Sequence, residues 1–462
     1  MIILGTLASL FVLYLVGILF LWAISGKRPG LHQSLSLGFG IGSGVLSLSM
    51  FYLAFWGVPL TRRTIAWLIF LMVLALAMVI LLRWRRTPTP SPGKSASGAW
   101  SRLEKVLFIL IGFTFLLVLA DALSQSMIGF DSRAIWGMKA KILCSQHAIY
   151  AEDFFDPDRL HAKNRYPLLV PFVESFTCVF SNGLNDRATK VAFPIFYLSL
   201  LCLFYGALKD SLNRLYSLLG TTMFAVLPVF LLYRNGGVAS GYADLPLAYF
   251  ATATVIHLYR WYLFRLNETL VVAGCFGLFA SFTKNEGIPL TAISFSVFIL
   301  ISLLKDPKWR LLRASKLTGT VFVASMLLVP WLFFRSQMPI TDEDFERLVT
   351  VRNLAAGLNR LPEIFFRLFQ EYFLKPHVWN VFGFLLLYPL TECLRHLKFS
   401  LKDIFLFIPF LYVLVTVAVL MVTPWELRDL IPVALTRLTM HTVPLTFIWF
   451  SLAFQWKKLL SA

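Results

Sequence analysis

The sequence predicts an all-α polytopic membrane protein, with about thirteen transmembrane helices and further interfacial helices in its outer loops. Three observations carry this expectation. Of 462 residues, 58% are hydrophobic and 14% charged, where soluble domains run at about 45–50% apolar and about 25% charged. Apolar stretches of about 20 residues, the length that crosses hydrocarbon with every backbone hydrogen bond made internally, recur from end to end. The formal charge of +18 is dispersed over short loops rather than gathered in one basic domain. It therefore reads as a topology signal and argues against a nucleic-acid partner.

The expected spans, in order, are 2–24, 34–58, 64–82, 104–124, 189–208, 214–233, 242–263, 269–283, 287–304, 317–335, 378–396, 401–423 and 439–455. Residues 1–24 lack a basic leading region and a small-residue cleavage site, so they read as a retained span. The segment 83–103 is rich in Pro, Ser and Gly and holds four arginines and one lysine, which marks it as cytoplasmic. The chain thus divides into three additional N-terminal helices (1–83), a linker (84–103), a module over 104–304, and C-terminal helices over 305–462. Alternation from the linker puts most basic loops inside, with Arg62/Arg63 as the exception. This requires that 166–181, which carries Pro167, Pro171 and Glu174, is only a partly inserted or interfacial helix. The opposite face then holds 125–188, 234–241, the turn 284–286, 336–377 and 424–438. Within 336–377, Ile364, Phe365, Leu368, Phe369, Tyr372 and Phe373 recur at helical spacing, as in an amphipathic interfacial helix or one packed on the bundle.

Cys144, Cys178, Cys202, Cys275 and Cys393 form no CxxC pair and the histidines form no HExxH. Free thiols, no structural metal and no cofactor are expected, although Asp153, Asp156 and Asp158 could hold a cation.

Three polar clusters fall on the outer side. In GFDSRAIWGMKAKILCSQHAIYAEDFFDPDRLHAKNRYPLLVPF (129–172), Asp131 sits just beyond a span. In RNGGVASGYADLPLAYF (234–250), a Gly-rich turn delivers Asp244 to the head of the next span. In FTKNEGIPL (282–290), Lys284, Asn285 and Glu286 occupy a tight turn. An acidic residue in the first large outer loop, a later Tyr-Pro-Leu-Leu run, an Ala-Asp before a span and a Thr-Lys-x-x-Gly turn occur in this order. Together they resemble the GT-C class of membrane glycosyltransferases, in particular bacterial relatives of protein O-mannosyltransferases and the lipid A aminoarabinose transferase. The likeness covers about 104–304, with weaker support from TRLTMHTVP (436–444). The chain departs from that pattern in its three leading helices, in Asp131-Ser132 where an acidic pair is usual, and in having no large soluble domain after the helices.

The resemblance implies a multi-pass protein of a bacterial inner (plasma) membrane whose active site faces the extracytoplasmic side. Its expected partners are a polyprenyl-phosphate-linked sugar as donor, a glycan, lipid or protein as acceptor, and membrane lipids. The reaction would be inverting hexosyl or pentosyl transfer. One carboxylate suffices as general base for the acceptor hydroxyl, because a leaving phosphate needs no acid, unlike the alkoxide released by a glycosidase. The phosphate calls for Arg or Lys instead. By resemblance Asp131 is the base, and Asp244 is an active-site residue that orients the acceptor or a neighbouring base. The expected substrate-binding residues are Lys163, Arg165, Tyr166, Lys284, Glu286 and Arg437, with His441 close in sequence to the last. For Asp244 the competing reading is a helix N-cap, and for Lys163 and Arg165 it is contact with anionic lipid. A transporter or flippase of a lipid-linked sugar is the alternative function, but it would favour ionisable groups near the bilayer midplane.

Overall fold

The computed structural model describes residues 2–84, 99–156, 158, 163–181, 183, 185–305, 310–340, 347–396 and 400–454. Most of the 84–103 linker, His161 and the basic pair Lys457/Lys458 fall outside the described residues. Among those described, every regular element is helical. We label them α1 (Ile2–Ser25), α2 (Leu31–Phe55), α3 (Arg62–Trp84), α4 (Arg102–Ser124), α5 (Met138–Gln146), α6 (Leu169–Ser181), α7 (Asp186–Lys209), α8 (Arg214–Ala225) and α9 (Asp244–Phe264). There follow α10 (Asn267–Thr283), α11 (Gly287–Lys305), α12 (Arg310–Ser336), α13 (Leu361–Phe373), α14 (Phe382–His396), α15 (Ile404–Val422), α16 (Leu427–Met440) and α17 (Val443–Ala453).

The chain is an α-helical, multi-pass membrane protein. Among the described residues, eight helices (α1 to α4, α7, α11, α12 and α15) are long and apolar enough to cross a bilayer, and α16 with α17, bent by 52° at their junction, form a broken span or a re-entrant loop. The remaining expected spans look different from the sequence pattern. The 214–233 stretch breaks after Ala225, with Pro228 opening a separate short helix. Helices α10 and α14 have 17 and 15 residues, at or below the lower end of the usual range of about 17–25. Helix α9 has 21 residues and is buried along nearly its whole length, so protein rather than lipid surrounds it.

The 166–181 stretch forms α6, only 13 residues long. At about 1.5 Å per residue it reaches some 20 Å, too short for a hydrocarbon core of about 30 Å. This agrees with the expectation that the stretch does not cross completely, but its surroundings are protein. Its residues from Leu169 to Val179 are buried by protein, packed on α1, α2 and α5. The three leading helices share this core. Helices α1 and α2 cross where a Cβ on Gly17 would come within 1.8 Å of Gly38 O, and one on Gly42 within 1.7 Å of Leu13 O. Small residues permit such close approach of membrane helices.

Free thiols were expected, but Cys144 on α5 and Cys178 on α6 form a disulfide. No spacing motif could have announced it, because the pair meets only when α5 folds back on α6. Cys202 and Cys275 are free. Two helix-level devices fix other parts. Ser101 and Glu104 form a reciprocal capping box at the head of α4, and Glu104 also pairs with Arg214 of α8 at 2.8 Å. In α13, Ile364 and Leu368 pack on Val417, Ile431 and Leu435, while Phe365, Phe366 and Phe369 stay exposed. The packed face agrees with the reading of a helix packed on the bundle.

Candidate active site

Asp131, Asp244, Lys284, Glu286, Arg437 and His441 come from four separate stretches of sequence and meet in one charged cluster. Asp244 is the first residue of α9, and its side chain makes no capping bond to its own helix. It is fully buried and turned toward three donors. Oδ1 accepts from Lys284 Nζ at 2.9 Å and from His441 Nε2 at 2.8 Å, and Oδ2 accepts from Arg437 Nε at 3.1 Å. The N-cap reading is thereby set aside, although the positive end of the α9 dipole still favours a carboxylate there.

Arg437, on α16, bridges the two acids: Nη2 lies 2.7 Å from Asp131 Oδ2, while Nε holds Asp244. Its guanidinium rests over the Tyr242 ring at 4.8 Å, and the Tyr242 hydroxyl accepts from Asp131 N at 3.4 Å. His441 sits one turn further on, at the bend before α17. Its Nδ1 lies 3.0 Å from the Tyr412 hydroxyl. The neutral ring satisfies both contacts, with Nε2–H donating to Asp244 and Tyr412 O–H donating to Nδ1.

Lys284 ends α10 in a turn that only glycine can close, because a Cβ on Gly287 would lie 1.9 Å from Ala280 O. Burial alone would lower the Lys284 pKa, but the Asp244 and Glu286 carboxylates outweigh it and raise the ammonium above its ordinary value. Burial likewise opposes ionisation of Glu286, yet the Lys284 charge holds its carboxyl below the usual range. Lys284 Nζ meets Glu286 Oε1 at 3.1 Å. In the same turn, Asn285 Oδ1 and Glu286 Oε2 are buried acceptors without a hydrogen-bond partner among the described residues. Such atoms are suited to hydroxyl donors of a bound ligand.

Tyr166 stands between three ammonium groups, with Lys139, Lys163 and Lys284 Nζ at 5.9, 5.7 and 5.9 Å from its ring centre. The Lys163–Tyr166 turn, with Lys163 at φ 45°, is held by Lys139, whose Nζ donates to Lys163 O at 2.6 Å and to Tyr166 O at 3.4 Å. Lys139 is fully buried, and burial, reinforced by the Lys163 charge, pushes its pKa well below the ordinary lysine value. Arg165 points elsewhere, donating to Met338 O at 3.1 Å and tying this turn to the segment after α12.

Of the residues expected from sequence, Asp131, Asp244, Lys284, Glu286 and Arg437 are in direct contact, Tyr166 and Lys163 flank them, and Arg165 does not join. Lys139 and Tyr412 gave no sequence signal, since a lone lysine in a loop helix and a tyrosine in a span are unremarkable. The two acids differ in a way that bears on chemistry. Asp244 has both oxygens occupied, whereas Asp131 is partly exposed and, among the described residues, only its Oδ2 has a partner. Among the described residues there is no group of three or more His, Cys, Asp or Glu side chains placed to hold a metal ion. No protein-family model, curated protein or solved structure matches this chain.

Proposed function

We propose that the protein is a glycosyltransferase that moves a sugar from a polyprenyl-phosphate carrier to an acceptor hydroxyl, at the extracytoplasmic face of a bacterial inner membrane. The observation that carries this reading is the Arg437 bridge. One guanidinium ties the partly exposed Asp131 to the saturated Asp244, beside Lys284 and the Lys163–Tyr166 turn. In the reaction, the acceptor oxygen attacks the anomeric carbon and its proton passes to Asp131. The bond from that carbon to the phosphate oxygen breaks, and prenyl phosphate leaves with the electron pair. Asp244 keeps Arg437, Lys284 and His441 in place rather than taking the proton. Lys284, Lys163 and Arg437 would stabilise the charge that develops on the phosphate. Asn285 and Glu286 offer the spare acceptors for sugar hydroxyls.

The Cys144–Cys178 disulfide supports the extracytoplasmic assignment, since such bonds persist in oxidising compartments. The same reading has α9 and α10 cross inside the protein instead of against lipid. The test is transfer of a labelled sugar from prenyl phosphate to membrane acceptors. Asp131→Asn should reduce the rate by about 10²–10⁴, the usual worth of a positioned base, with insertion and donor binding intact. Near-normal transfer by that variant would refute Asp131 as base. Movement of the lipid-linked sugar across the bilayer by wild type without transfer would establish the flippase alternative.

A further inference from the structure

A groove of about 370 Å³ lies between the last turns of α4 and the 231–240 turn. Its volume falls among ligand pockets, which run to about 300–1,000 Å³. The walls divide by chemistry. Leu117, Ile128 and Leu232 are exposed, and along α4 they continue into exposed Phe113 and Leu116. In a membrane helix this face meets hydrocarbon, so the groove opens sideways to lipid. At its other end stand Asp121, Gln125, Ser126, Ser240 and the exposed Arg234. Lys190 braces the two walls, donating to Ser126 O at 3.3 Å and Ala239 O at 3.4 Å.

The polar end backs onto the charged cluster. Gly236, in the turn that forms one wall, lies against the Arg437 side chain, and Gly129, on the other wall, lies under the Tyr242 ring that carries Asp131 N and Arg437. Tyr233 also lines the groove, and its ring faces the position a Cβ on Gly236 would take beside Arg437. The groove therefore runs from apolar to hydroxyl-reading walls, and its polar end is parted from Asp131 by the contact of Gly129 with the Tyr242 ring.

We infer that this groove takes the acceptor, and that the acceptor is a membrane lipid whose headgroup bears free hydroxyls; the assignment rests on the transferase reading above. A carboxylate, a primary amide and two serine hydroxyls at the polar end are what hydroxyl recognition requires. A soluble glycan or a protein loop has no use for a wall open to hydrocarbon, and a lipid without hydroxyls has no use for Asp121 and Gln125.

The experiment uses the full chain in phosphatidylcholine nanodiscs with a trace of photoactivatable phosphatidylglycerol, whose head presents a diol, and a parallel sample with photoactivatable phosphatidylcholine. Cross-links of the diol lipid should map to the end of α4 and to 231–234, and unlabelled phosphatidylglycerol should compete for them. Ser126→Trp, which fills the groove from an exposed position, and Asp121→Asn, which keeps its shape, should each lower that labelling about 10- to 100-fold, as for loss of a charge-assisted hydrogen bond. Equal labelling by both lipids, meaning annular lipid only, or competition by maltose would overturn the groove assignment. Transfer of labelled sugar is then followed into extracted lipid, protein and water-soluble products. Product in lipid, lost in Ser126→Trp, supports the inference. Product only in protein or water overturns the lipid acceptor while the transferase stands. Selective labelling with no transfer by wild type overturns the transferase reading and the acceptor role with it, leaving a lipid-binding groove.

Discussion

Replacing Asp244 by Asn keeps the shape of the side chain but removes its charge from a site with no exposure and three donors. The amide oxygen can still accept from one side of the site, while its NH₂ must face the other, either Arg437 Nε or the Lys284–His441 pair, all donors. Breaking one partner out of a buried ionic group costs about 3–5 kcal/mol. The expected loss lies at the lower end, about 3 kcal/mol, because Arg437 keeps Asp131 at 2.7 Å and Lys284 keeps Glu286 at 3.1 Å. Asp131→Asn is the control. It removes a single pair whose members are 12% and 13% exposed, so about 1–2 kcal/mol is expected. The assay is unfolding in mixed micelles on titration with dodecyl sulfate, followed by far-UV circular dichroism and extrapolated linearly as for other denaturants. A double variant, Asp244→Asn with Arg437→Gln, should be less destabilised than the sum of the two single changes by more than about 0.5 kcal/mol. Additive losses, or a larger loss for Asp131→Asn than for Asp244→Asn, would refute the view that Asp244 holds the cluster and Asp131 works within it.

Three other outcomes are expected. Replacing Cys144 and Cys178 by serine opens a link between residues 34 apart and should cost about 2–4 kcal/mol in the same titration; no change on replacement or on reduction would argue that the bridge does not form. Glu174, on the short buried α6, has neither carboxylate oxygen partnered among the described residues, and burial raises its pKa well above 4.5. Because the folded state then holds the proton more tightly than the unfolded chain, stability should fall as pH rises above 4.5 toward the raised value. Glu174→Gln should lose this slope and match or exceed wild type at pH 7, whereas a weaker variant with the slope intact would contradict the unpaired carboxyl. Finally, Lys139→Met should release the Lys163–Tyr166 turn and raise the KM for the prenyl-phosphate donor with little change in kcat; an unchanged KM would take that turn out of donor binding.

The sequence by itself determined the solvent and the secondary structure. Runs such as 2–24 and 104–124 have one low-energy state in lipid, a helix with every backbone group paired, so their helical nature follows from composition. It also marked Asp131, Asp244, Lys284, Glu286 and Arg437, through the order of the polar clusters at the ends of apolar runs and their resemblance to a known enzyme class. What it could not determine was which apolar run faces lipid and which faces protein. Helices α9 and α6 read as a span and an interfacial segment, yet both are wrapped by other helices, since hydropathy scores a leucine alike against lipid and against phenylalanine. Tertiary structure alone brought Cys144 to Cys178, placed Lys139 under the 163–166 turn, and sent Arg165 to Met338. It also decided the surroundings of the two acids. The resemblance had already set the two acids apart, but only the fold surrounds Asp244 with Arg437, Lys284 and His441 and leaves Asp131 partly exposed beside Arg437.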